Sequence, residues 1–99
     1  MPPYAGVVDD VATELRRVTR RWQQLSAEQT GETASSVREL AQQLADRVRR
    51  ERGLAPLVIP DLGDAALPDQ LAVTVYDACG AGFETAALEG LTRLRRALP

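Results

Sequence analysis

Histidine and lysine are both absent from this chain of 99 residues, and cysteine, methionine and tryptophan occur once each. Without histidine there is no commonest general base, no Ser–His or Cys–His nucleophile pair, and no commonest metal ligand. Without lysine there is neither Schiff-base chemistry nor the lysine of a phosphate-binding loop. All twelve basic residues are therefore arginine. The one thiol, Cys79, has no internal disulfide partner, which fits a reducing compartment. Only four aromatics are present, Tyr4, Trp22, Tyr76 and Phe83. The core must be made of Leu, Val and Ala, and platforms for stacking nucleotide bases are scarce.

Charge-free runs never exceed eight residues, which excludes a membrane-spanning helix from the sequence. The opening Met1-Pro2-Pro3-Tyr4 lacks the basic and apolar regions of a secretory signal, so a cytoplasmic protein with no membrane partner is expected. The net charge of −2 gives no global field toward nucleic acid. With 44% hydrophobic and 26% charged residues, the composition is that of a folded chain, and its length fits a single domain over residues 1–99.

What is present is organised around residues 4–25. Apolar side chains fall at Tyr4, Val8, Val11, Leu15, Val18, Trp22 and Leu25, in steps alternating between four and three. That is the a/d seam of a helix packed against another helix. Asp9, Asp10 and Glu14 lie early and Arg16, Arg17, Arg20 and Arg21 late, as the helix dipole prefers. Residues 26–35 read as a break: Ser26-x-x-Gln29 suits a single short turn, Gly31 interrupts, and Thr30, Thr33 and Ser35 compete for backbone hydrogen bonds. The capping box Ser36-Val37-Arg38-Glu39 predicts that a second helix has begun by that point, starting as early as Thr33. Its inner face is Val37, Leu40, Ala41, Leu44 and Val48, and Gly53 is a natural terminator.

Residues 54–67 contain Pro56, Pro60 and Gly63 and predict an extended crossover, with Leu57, Val58 and Ile59 packed under the bundle and Asp64 capping a short turn. Pro68 suits the first residue of a third helix, the most buried one, carrying Leu71, Ala72, Val75, Tyr76, Ala78, Cys79 and Phe83 inward and Asp77 outward. Residues 71–76 are rich in β-branched side chains, and a strand is the competing reading there. Gly80-Ala81-Gly82 predicts a break or a kink before a fourth helix, whose inner stripe is Phe83, Ala87, Leu91, Leu94 and Leu98. The expected fold is all-α: a four-helix antiparallel bundle of two αα-hairpins joined by a Pro-containing crossover. One long kinked rod in place of helices three and four is the alternative.

Candidate sites follow from the same pattern. The narrow seam of the first helix suits a partner surface, with Val8, Val11, Leu15, Val18 and Trp22 as interface residues, and a seam tryptophan is a common anchor. Residues 53–92 carry six acids and no base, so two copies can oppose acidic and basic halves. The expectation is a non-enzymatic protein–protein interaction or oligomerisation module, a homodimer or small homo-oligomer. The alternative is a nucleic-acid-associated protein binding a polyanion through Arg16, Arg17, Arg20 and Arg21, which form an outward face. No recognition-helix signature supports it, and arginines at helix ends are the plainer expectation. No catalytic residue, cofactor or metal site is expected. Asp61-x-x-Asp64 falls short of the oxygen ligands that calcium needs, and Cys79 reads as a buried structural residue.

Overall fold

The computed structural model describes residues 3–99, with side chains from Gly6 onward. Pro2 and the side chain of Tyr4, at the helix entrance and the head of the seam, lie outside the described residues. Four helices follow one another: α1 (Pro3–Gln24), α2 (Ala27–Glu51), α3 (Leu67–Gly80) and α4 (Glu84–Ala97), with a 3₁₀ turn at Asp64–Ala66 leading into α3. The fold is an all-α four-helix bundle, two helical hairpins joined by the proline-containing crossover. Residues 71–76 are helix, and residues 81–83 separate α3 from α4.

The second helix starts earlier than its sequence suggests. Ser26 is its N-cap: the Ser26 hydroxyl accepts from the Gln29 backbone N–H, and Gln29 Oε1 accepts from the Ser26 N–H. The capping box in use is therefore Ser26–Gln29; Ser36–Glu39 lies in mid-helix. The Thr30 and Thr33 hydroxyls donate to the carbonyls of Ala27 and Gln29 inside the helix, so they do not divert the backbone. At the other end Gly53 adopts φ 71°, its N–H donating to Arg50 O while Leu54 N–H donates to Arg49 O. The same paired bonds recur after α3, where Gly82 at φ 88° donates to Cys79 O and Phe83 to Ala78 O. Both helices stop where a glycine can take the left-handed conformation and cap the last carbonyls.

The helices meet in an order that local patterns do not dictate. The closest packed pairs are α1 with α4 and α2 with α3, while α1 and α2 share almost no close backbone approach. Antiparallel reversal holds across the turns at 25–26 and 81–83, but both closely packed pairs run parallel. Glu14 meets Arg95, and further along both segments Arg21 meets the carbonyl of Pro99. Arg38 meets Asp64 just before α3, and Arg47 lies over the Phe83 ring just after it. The crossover explains the second parallel pair, because it doubles back along α2. Arg49 holds the Ala55 carbonyl, Gln42 holds Leu57 O and Ile59 N–H, and Arg38 reaches Asp61. Gln70 of α3 adds a bond to Pro60 O.

Polar side chains, rather than buried apolar ones, thus strap the crossover down. Of the trio expected beneath the bundle, only Ile59 is half-buried; Leu57 and Val58 face outward. The core is α3-centred as expected, with Leu67, Leu71, Val75 and Ala78 buried against Ala87, Leu91 and Leu94 of α4 and the inner face of α2. Tyr76 corrects that list: it and Val73 are exposed, on the side of α3 that no helix covers. Asp64 opens the 3₁₀ turn instead of capping it. The whole molecule is a slab with axial extents of 40 × 34 × 17 Å.

Candidate functional site

The seam of α1 is the first candidate, and its residues are already covered. Val11, Leu15, Val18 and Trp22 are buried within the single chain, chiefly against α4. Trp22 sits at a junction with Val18, Val37, Pro68 and Leu71, where α1, α2 and α3 converge. Val8 is 41% exposed, and Val7 packs inward in its place. A straight α-helix drifts by about 20° per heptad from a 3.5-residue repeat, so the inner stripe moves one residue over at its far end. The four buried residues work as core, leaving Val8 as the one member of the set that a partner can reach.

The arginine face of α1 is the second candidate, and the structure adds two residues to it that the sequence does not suggest. Glu14, 8% exposed, accepts from Arg17 Nη1 at 3.2 Å and from Arg95 Nε at 2.5 Å. The Arg95 hydrogen bond holds the Glu14 carboxyl below its ordinary 4.5 against the opposing pull of burial, helped by the positive charges of Arg95 and Arg17. Arg21 donates from Nε to the Pro99 carbonyl and from Nη1 to Gln24 Oε1. Arg16 points elsewhere, onto the Thr13 hydroxyl. Arg17, Arg20, Arg21, Gln24 and Arg95 line an open concavity of about 320 Å³ between α1 and α4. Arg95 could not have been paired with α1 from local spacing, because 81 residues separate it from Glu14.

Replacing Glu14 by glutamine removes a carboxylate that two arginines share. The expected cost is about 1.5–3 kcal/mol of stability, the usual range for a hydrogen bond to a charged group. Because the folded-state pKa lies below the unfolded value, the carboxylate's contribution is fully present above pH 4.5. It disappears as pH falls through the folded-state value. Urea midpoints measured across that acid window should fall more steeply in the wild type than in Glu14→Gln.

The crossover face is the third candidate. Leu54, Leu57, Val58 and Leu62 are all exposed along it. Beneath it, between α2 and α3, runs a groove of about 350 Å³ lined largely by Ala41, Val58, Ile59 and Leu67, with Arg38 at its polar edge. Asp61 and Asp64, the pair weighed as a cation site, close instead on Arg38 Nη2 at 3.2 and 2.8 Å. Cys79 is half-buried, and burial together with the nearby Glu84 charge pushes its thiol up, away from the reactive thiolate. Among the described residues no helix is long and apolar enough to cross a membrane. No protein family, characterised protein or solved structure matches the chain.

Proposed function

We propose that this protein is a non-enzymatic interaction module that self-associates through its crossover face. The observation carrying this reading is the exposure of Leu57, Val58 and Leu62, at 62%, 81% and 65%, on one short segment, whereas α3 exposes only the pair Val73 and Tyr76. Neighbouring exposed aliphatic side chains of this kind mark interaction surfaces. They differ from the α1 seam in being available in the folded monomer.

A second copy is the occupant that the charge pattern favours. The crossover leaves α2 beside Arg50 and Arg52 and ends at Asp61 and Asp64, with its aliphatic residues between. A two-fold axis through Val58 lays the two crossovers antiparallel. The basic entrance of each then opposes the acidic exit of the other, and the aliphatic middles meet. The groove between α2 and α3 gives the incoming side chains a seat. An extended span of eight residues reaches roughly 25 Å, long enough to run across an interface of standard size.

Val58→Asp should abolish self-association, because two buried carboxylates would face each other across the axis. Its helix content and urea midpoint should stay within about 0.5 kcal/mol of the dissociated wild type, since the site is exposed in the monomer. Sedimentation velocity at micromolar to hundred-micromolar concentrations is the measurement. A wild type that stays monomeric throughout, or a Val58→Asp protein that still dimerises, contradicts the proposal.

A further inference from the structure

We propose that the concavity between α1 and α4 binds a small molecule carrying several adjacent phosphate groups. Arginines near helix C-termini are expected on dipole grounds alone. The helix dipole accounts for Arg17, Arg20 and Arg21 on α1, but not for their convergence with Arg95 from α4 around one hollow. Among the described residues, four guanidinium groups and one amide line it, with no carboxylate side chain. Glu14 offsets part of the charge and acts as a brace, fixing Arg17 and Arg95 from below. Arg21 is braced by Gln24 and the Pro99 carbonyl. Of the four arginines lining the hollow, Arg20 has no side-chain hydrogen bond or ion pair among the described residues, so its donors are unspent. Planar guanidinium forks held in place in this way match phosphate oxygens two at a time.

The size and surroundings select the class of ligand. About 320 Å³ lies at the small end of the range for ligand sites and exceeds what one phosphate group fills. Among the described residues no aromatic side chain lines the hollow, so it offers no stacking surface for a base and recognition rests on the phosphates. A long nucleic acid would need a continuous basic track. Here the other large cluster, Arg47, Arg49, Arg50 and Arg52, lies at the far end of α2, whose 25 residues span roughly 37 Å. The N-terminus of α2 adjoins the α1 end that carries the hollow, so the two clusters occupy opposite ends of the slab.

Titration calorimetry with sodium tripolyphosphate at low ionic strength tests the assignment. One saturable site per chain is expected, with orthophosphate binding far more weakly. Arg20→Gln, an exposed substitution that breaks no internal contact, should weaken tripolyphosphate binding by about tenfold, as loss of a charge-assisted contact does. Arg47→Gln, exposed at the opposite end and of equal charge change, should leave it unaltered. Absence of saturable binding, or an equal loss in the two variants, overturns the proposal. So does a single-stranded oligonucleotide that binds more tightly than tripolyphosphate and is weakened by both substitutions.

Discussion

Replacing Trp22 with alanine should cost the folded monomer about 3–5 kcal/mol and leave self-association of the molecules that still fold intact. Trp22 is 7% exposed and sits where the last turn of α1 meets Val37 of α2 and the start of α3 at Pro68 and Leu71. Truncation there empties the largest side-chain volume in the chain at a point where three helices converge and cannot all close inward. A domain of this size has about 5–15 kcal/mol in total, so the loss is a large fraction of its stability and a large shift of the urea midpoint. The informative experiment is urea unfolding in the Val58→Asp background, where self-association is removed. If Trp22 is core, the loss persists at every protein concentration. If Trp22 anchors a subunit interface instead, the substitution costs little in that monomeric background.

The second large effect is expected on α3 and depends on the face. Leu71→Ala removes a side chain that is fully buried where α1 and α2 meet α3, beside Trp22 and Val37, and should cost about 2–5 kcal/mol. Tyr76→Ala, on the same helix, should change stability by no more than about 0.5 kcal/mol, because the ring is exposed. A strand over residues 71–76 would put Leu71 and Tyr76 on opposite faces too. The discriminating third variant is therefore Val75→Ala: fully buried in the helix, it should cost clearly more than Val73→Ala, whose side chain is exposed. Thermal or urea denaturation of the four proteins gives the ordering.

Much of the fold was legible because it rests on local periodicity. The three-four seam marks α1, the stripe Ala87, Leu91 and Leu94 marks α4, and Gly53 and Gly82 stop α2 and α3. The errors share a physical origin in competition between local signals. Thr30 and Thr33 read as helix breakers, yet their hydroxyls find carbonyls one turn back and the helix persists. Val8 and Val7 exchange places because a straight helix does not keep a seven-residue register.

The candidate sites were less legible. Whether a seam meets another helix of its own chain or a second molecule is not encoded in the seam. Here α4, which begins 60 residues after the end of α1, fills that role. The parallel pairing depends on a crossover held by Gln42, Arg49 and Arg38, three residues that look like ordinary outward-facing positions on α2. Once polar side chains hold that segment, its aliphatic residues are freed to face solvent. Only the Arg17, Arg20 and Arg21 part of the basic hollow could be read from spacing; Arg95 and the Glu14 brace required the fold.

The account stands on α1 being sealed by its own chain, and the lone tryptophan reports on that directly. Trp22 emission and acrylamide quenching, followed as the wild type is diluted from hundred-micromolar to nanomolar concentration, make the decisive measurement. Blue-shifted emission and weak quenching that do not change on dilution are predicted. Emission that moves to the red and becomes freely quenched as molecules separate, with helix content retained, would mean that a second molecule covers the seam.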